Sequence, residues 1–350
     1  MKNFNLERLK ASALRRLYAT GHFGPIRQVE VKKFNASTPN VLIIGAGRIS
    51  IPPAGWGAVE TLINEMKAEF EGFGYSVSIL NSLYSRDWAS LSKIKYDVIV
   101  LHADDQVTRV KNCWPNSKLI VVTHYGLASE RKLWHSGYEK SARTFAQAEY
   151  LIVLNQKSKM ILSSYVPPEK IIIIPNGSNF TFSKTANRSQ FAVCIGKVEE
   201  RKRQFEVAST LQKSNFKVDF VGPVVDERFK KFPNFSPQLL GSKSKNWISQ
   251  YLPSYRVGIL MSMGEGDALV LYEYQLAGLE VVCTAEAAGS QDESLPWVHI
   301  CTLENIESIL TSIDSSPDRS ESISHFAQEN YSWSKRISPY KKLIDQLCKK

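Results

Sequence analysis

The chain has 350 residues, 43% of them hydrophobic, and a formal net charge of +10. That length supports two domains with separate cores, and no apolar run approaches the roughly 20 residues that a membrane span needs. Cys113, Cys194, Cys283, Cys301 and Cys348 are odd in number and widely spaced, which argues against a disulfide framework or a zinc site.

The charge sits at the two ends. Residues 1–33 carry eight Lys/Arg against two acidic residues, residues 330–350 carry six against one, and the stretch between them is nearly neutral at −1. A nucleic-acid enzyme would line its central groove with the charge, so no nucleic-acid partner is expected. Basic ends suit docking on an anionic membrane surface. With no apolar leader followed by small residues, a secretory signal is not expected either. The expected location is the cytoplasm, peripheral on the inner face of the cell membrane.

Residues 3–20 read as a short basic amphipathic helix, with Phe4, Leu6, Leu9, Ala13, Leu14 and Leu17 at helical spacing. Strands and helices then alternate. Strands are expected at Val41–Ile44, Ser76–Leu80, Val98–His102, Leu119–Thr123, Leu151–Leu154 and Ile171–Ile174, with helices at Ala58–Phe70, Asp87–Ile94 and Tyr138–Ala146. The runs VLII, DVIVL, KLIVV and IIII have the continuous apolar character of parallel strands buried on both faces. A polar stretch from Ser178 to Gln190 reads as a linker. A second series follows, with strands at Phe191–Ile195, Lys217–Val221, Val257–Met261, Glu280–Thr284 and His299–Cys301. Its helices are expected near Arg203–Gln212, Lys245–Tyr251, Leu269–Ala277, Leu303–Ile313 and Arg319–Gln328, and Ser332–Leu347 forms a last basic helix. The organisation expected is an extension over 1–35, an N-terminal domain over 36–180, a C-terminal domain over 181–330 and a closing helix over 331–350.

Between Met261 and Thr284 the sequence MSMGEGDALVLYEYQLAGLEVVCT follows an apolar strand with a glycine turn and a helix. It brings Glu265 to a loop at the sheet edge and Glu273 into the helix. The free N–H groups of Asp267, Ala268 and Leu269 at the helix start carry partial positive charge suited to a diphosphate oxygen. After the strand FAVCI comes the basic loop GKVEERKR, residues 196–203. The turn Pro53-Ala54-Gly55-Trp56-Gly57-Ala58-Val59-Glu60 follows the first strand, and Thr123-His124-Tyr125-Gly126 ends a buried one.

Together these segments resemble the retaining glycosyltransferases of family 4, with the GT-B architecture of two Rossmann-like α/β domains facing each other across a cleft. The resemblance covers residues 40–350. EGDALVLYEYQLAGLEVV resembles that family's EGFGLVLLEAMACGLPVV, and implies that Glu265 contacts the donor sugar hydroxyls and Glu273 the ribose. Asp267 and Ala268 stand where the family has Phe-Gly. GKVEERKR resembles GRLxxxKG, which implies that Lys197 and Lys202 neutralise the donor diphosphate as the glycosidic bond breaks. Arg203 stands where the family has glycine. The Gly55–Gly57 turn would let the backbone approach the donor, with Trp56 and Glu60 on the acceptor side, and His124 would reach the donor sugar or acceptor. Pro175-Asn176-Gly177-Ser178-Asn179 resembles a Pro-Asn-Gly-x-Asp turn at the domain crossing, and Tyr331-Ser332-Trp333 the Phe-Ser-Trp before a helix that returns to the first domain. The catalytic set implied is His124, Lys197, Lys202 and Glu265. The donor set is Gly55, Gly57, Lys197, Lys202, Gly266, Asp267, Ala268, Leu269 and Glu273.

The activity so implied is transfer of a hexose from a nucleoside diphosphate sugar to a hydroxyl of a glycan or lipid-linked acceptor, with retention and with neither metal nor cofactor. Asp104-Asp105 are adjacent and do not converge on one ion. Two other readings stay open. One is a catalytically silent GT-B partner subunit. The other is a nicotinamide-dependent oxidoreductase built on Gly45 and Gly47, although Ser50 takes the place of a third glycine and Leu80-Asn81-Ser82 supplies no acidic ribose ligand.

Overall fold

The computed structural model describes residues 25–33, 35–53, 57–183, 188–231 and 238–349. The helix expected over 3–20 therefore lies outside the described residues, as do Gly55 and Trp56.

Two sheets account for the architecture. The first is built from β1 (Arg27–Glu30), β2 (Asn40–Ile44), β3 (Ser76–Ser82), β4 (Val98–Leu101), β5 (Lys118–Val122), β6 (Tyr150–Val153) and β7 (Ile171–Ile173), in the order β1-β3-β2-β4-β5-β6-β7. Only β1 runs antiparallel, against β3. The helices that cross between these strands are α1 (Ala58–Gly72), α2 (Ser85–Leu91), α3 (Val107–Cys113), α4 (Ser136–Ala142) and α5 (Gln156–Leu162). Because β-strand side chains alternate, β2 sends Leu42 and Ile44 into one apolar layer and Val41 and Ile43 into the other. The sheet is thus covered on both faces, which is why its strands are continuous apolar runs.

The second sheet has β8 (Gln190–Ile195), β9 (Val218–Val221), β10 (Gln238–Gly241), β11 (Tyr255–Leu260), β12 (Glu280–Cys283) and β13 (Val298–Ile300), all parallel, in the order β10-β9-β8-β11-β12-β13. Around it lie α6 (Gln204–Thr210), α7 (Arg228–Lys231), α8 (Lys245–Tyr251), α9 (Leu269–Leu276), α10 (Ile306–Asp314) and α11 (Ser320–Tyr331). It too has two apolar layers, one around Val257 and Ile259, the other around Leu260 and Tyr274.

The chain ends with α12 (Trp333–Arg336) and α13 (Ser338–Cys348), which leave the second domain and pack on the first. Trp333, Ile337, Tyr340 and Ile344 are buried in one layer with Val41, Ile63, Met66 and Phe70. Tyr75 donates to Asp345 at 2.5 Å, tying the end of the chain to β3. The two crossings also touch each other: Ser178 donates its N–H to Tyr331 O at 2.9 Å, and Asn179 Oδ1 accepts from Trp333 N at 3.0 Å.

Five elements differ from expectation, two of them β10 and α7, which fill stretches where no strand and no helix was expected. β1, drawn into the extension over 1–35, belongs to the first sheet, so the boundary at residue 35 runs through that domain. α3 and α5 fill stretches where no helix was expected. In each sheet the strand order reverses beside the first strand of its series: β2 lies between β3 and β4, and β8 between β9 and β11. Ligands of open α/β sheets bind in the crevice that such a reversal opens at the strand C-termini.

Candidate functional site

The loops at those two reversals face each other across one cavity of about 320 Å³. The first domain contributes Gly57, Thr61, Leu62 and Glu65 from the start of α1, together with His124 and Gly126 after β5. From the second come Gly196 and Lys202 after β8, Gly222 after β9, Lys243 and Lys245 after β10, and the run Glu265–Val270 with Glu273.

Glu265 sits in the loop between β11 and α9, its side chain only 12% exposed. Its Oε1 lies 3.0 Å from Arg201 Nη1 and 3.5 Å from Lys202 Nζ, so two cations from the β8 loop hold one carboxylate. Arg201 also donates to Gly264 O at 2.5 Å and to Ser262 Oγ at 3.1 Å, which fastens the two loops together. The loops approach so closely that Gly222, at φ 150°, admits no side chain: a Cβ there would stand 2.0 Å from Gly196 O. Arg203 adopts the left-handed conformation (φ 55°, ψ 27°) at the start of α6, a geometry in which glycine carries no Cβ strain.

Helix α9 begins at Leu269 with Ala268 as its N-cap and no side-chain cap, leaving N–H groups of the first turn for a ligand. Asp267 is buried and committed elsewhere. Its carboxylate accepts from Asn176 N at 2.7 Å, from the Tyr272 hydroxyl at 2.8 Å and from Ser290 Oγ at 3.0 Å. Burial pushes its pKa up to about 6, opposed by those donors. Asp267 therefore ties α9 to the domain crossing. Asn155 Nδ2 adds a second tie, donating to Gly266 O at 2.5 Å.

Glu273, one helical turn into α9, meets Glu65 from α1 across the cavity. Burial raises the Glu273 pKa to about 7, partly offset by the Lys245 ammonium. Glu65 is raised to about 7, first by burial; an N–H bond from Asn179 lowers it and the Glu273 charge raises it further. Lys245 Nζ reaches Thr61 Oγ1 at 3.4 Å, a contact from the second domain to the first.

Two residues that the motifs singled out are not among those lining this cavity. Lys197 turns to Glu199, with Nζ to Oε2 3.3 Å. Glu60 is 6% exposed and turns under the start of α1, where a Cβ on Gly57 would come within 2.9 Å of its Oε2. Burial raises its pKa. The Gly45–Gly47 turn is likewise occupied from within, since Asn81 Oδ1 accepts from Gly47 N at 2.7 Å. Among the described residues no group of three or more His, Cys, Asp or Glu is arranged to hold a metal ion.

The sequence reading passed over Arg201, Glu65, Lys243, Lys245 and His102. Arg201 lay inside the charge run of the β8 loop. His102 had a usable signal, because it stands at a strand end just as His124 does.

Comparison with models of protein families gives no match, and comparison with curated protein sequences gives none either. Solved structures do match. HepE of Anabaena, holding UDP and glucose, superposes with a TM-score of 0.69 at 12% identity, over 88% of this chain and 100% of that one. The fold is GT-B. Sucrose-phosphate synthase of Thermosynechococcus elongatus is similar to it at a TM-score of 0.71 and 13% identity, over 88% of this chain and 99% of that one. The lipopolysaccharide outer core galactosyltransferase WaaB is similar at 0.66 and 14%, with the same coverage. In GT-B terms the cavity is the cleft between two Rossmann-like domains, and the α12–α13 segment is the return from the second domain to the first. No described helix is long and apolar enough to cross a membrane.

Proposed function

We propose that this chain is a retaining glycosyltransferase that moves a hexose from a nucleoside diphosphate sugar to a hydroxyl of a glycan or lipid-linked acceptor. One observation carries the reading: Lys202, the open start of α9, Glu265 and Glu273 converge on a single cavity between the two domains. A nucleoside diphosphate leaving group gains negative charge as the glycosidic bond breaks. On this reading the Lys202 ammonium and the first-turn N–H groups of α9 stabilise that charge in place of a metal ion. Glu265, held by Arg201 and Lys202, accepts hydroxyls of the sugar, and Glu273 accepts from the ribose. The acceptor hydroxyl, on the same reading, attacks from the face the diphosphate leaves, and the departing phosphate takes its proton. Retention and the hexose follow from the family resemblance.

The presence of UDP in HepE makes UDP sugars the first donors to test. A donor that binds only the folded state raises the melting temperature, so a thermal-shift panel of nucleotide sugars identifies it. With that donor, Glu265→Ala and Lys202→Ala each lower transfer or donor hydrolysis by about 10²-fold or more, in buffer containing EDTA as in buffer without it. Unchanged rates would sink the assignment.

The reading extends to the membrane surface. Lys335, Lys342 and Lys349 are exposed on the segment that returns to the first domain, and cations near a surface favour anionic lipid by about 1 kcal/mol each. Co-sedimentation with vesicles should then rise with the fraction of anionic lipid and fall when these lysines are changed to glutamine.

A further inference from the structure

β4 and β5 lie side by side, and each delivers a histidine to the same edge of the sheet. His102 Nδ1 lies 2.8 Å from His124 Nε2, with the two rings edge to edge and nearly coplanar, centroids 5.1 Å apart and planes inclined by 13°. They differ in surroundings. His124 lines the cavity, whereas His102 is buried, and its Nε2 meets no partner among the described residues. Burial holds His124 down at about 4 and His102 well below its ordinary value, the second further lowered by His124. At neutral pH both rings are uncharged, and each carries one N–H.

Two arrangements satisfy the shared bond. If His124 Nε2–H donated, the His102 proton would sit on Nε2, buried with no acceptor. If His102 Nδ1–H donates, Nε2 of His102 holds only a lone pair. A buried N–H left without a partner is the rarer and costlier defect, while under-satisfied acceptors are better tolerated. We infer that His102 is a positioning residue: its Nδ1–H donates to His124 Nε2, fixes the His124 proton on Nδ1, and makes His124 a hydrogen-bond donor to the ligand rather than a base. His124 Nδ1 is the ring nitrogen left for an oxygen in the cavity, a sugar hydroxyl on the reading above. Only that last clause rests on the proposed function. The tautomer rests on geometry alone.

The chain has six histidines, few enough for a long-range proton–nitrogen spectrum of the whole protein at pH 7, with His124→Gln to assign the signals. The expected spectrum has a protonated Nδ1 and a bare Nε2 on His124; the reverse pattern, or an averaged one, overturns the inference. His102→Asn, whose amide N–H can replace Nδ1–H, keeps that pattern. His102→Phe loses it, and weakens UDP-glucose binding about three- to tenfold while leaving UDP binding unchanged. Equal behaviour of the Asn and Phe variants would also overturn it. The expected spectrum in a protein that binds neither UDP nor UDP-glucose removes the donor reading and leaves the role of His102 standing. Should His102→Phe not fold, the spectrum of the unaltered chain decides.

Discussion

Glu65 and Glu273 face one cavity from opposite domains, and burial raises both to about 7 from an ordinary 4.5. Between those values the folded chain keeps protons that the unfolded chain has released. Their contribution to stability is therefore fully present below pH 4.5 and is lost as pH rises through 7. Asp267, raised to about 6, and Asp104, raised to about 7, act in the same direction, each raised first by desolvation of its carboxyl. Ligand-free protein should then lose melting temperature steadily from pH 5 to pH 8. In the double variant Glu65→Gln, Glu273→Gln that slope should all but vanish, because the two remaining aspartates are offset by His102 and His124, which burial keeps uncharged in the fold while the unfolded chain takes up their protons below pH 6.5. Each glutamate can contribute a slope of at most about 1.4 kcal/mol per pH unit. A slope identical to the unaltered chain, measured by thermal unfolding across that range, would mean that neither carboxyl holds its proton in the fold.

The position of Glu273 depends on how α9 lies on its sheet, and a single glycine sets that contact. Gly258 in the middle of β11 lies beneath the Tyr274 ring, where an added Cβ would stand 2.1 Å from a ring carbon. Tyr274 is fully buried, and its hydroxyl is held in place by accepting from Ile195 N at 2.8 Å, at the end of β8. Gly258→Ala should thus lift α9, costing about 1–3 kcal/mol as overpacking, and reduce the melting-temperature gain on donor binding. Gly72, at the end of α1, would place an added Cβ in open space, with nothing within 4 Å, and should accept alanine with unchanged or slightly raised stability. Thermal unfolding of the two variants side by side makes the comparison, and similar losses in both would disprove the packing argument. Elements of this kind differ in how readable they are. The strands buried on both faces announce themselves, because VLII and VIVL leave no polar residue to suggest a surface. β1 and β10 do not: they lie at sheet edges with one neighbour each, and RQVE and QLLG carry too few apolar residues to set a period. α3 and α5 are seven residues long and each buries only two of them, less than a periodic signal needs. The cavity divides along the same line. Lys202, Gly266 and Glu273 lie in strand–turn–helix segments whose local pattern marks a sheet edge. Glu65 reads as the polar side of an amphipathic helix, Lys243 and Lys245 follow an edge strand, and His102 meets His124 only because β4 pairs with β5.

At the scale of the molecule, the end of the chain serves both domains in turn. α11 packs on the second, where Ala327 and Tyr331 are buried with Tyr272 and Leu276. Past residue 331 the chain changes sides, and Trp333, Ile337, Tyr340 and Ile344 fill the layer between the first sheet and α1. Tyr340 and Tyr331 are close in sequence, yet they stabilise different domains. Tyr340 is 2% exposed, with its ring centroid 6.4 Å from that of Phe70, and Tyr331 is 4% exposed, 4.9 Å from Tyr272. Truncating a buried aromatic of this size to alanine costs about 3–5 kcal/mol. In native-state hydrogen exchange, Tyr340→Ala should lower protection first in β2 and α1, and Tyr331→Ala first in α9 and β12. Because exchange resolves local and sub-global openings separately, the two patterns are distinguishable even if each variant lowers the overall melting temperature equally. Loss of protection in the same strands for both variants would mean that the two domains open as one unit, and that the crossing at residues 331–333 joins them more tightly than their separate cores require.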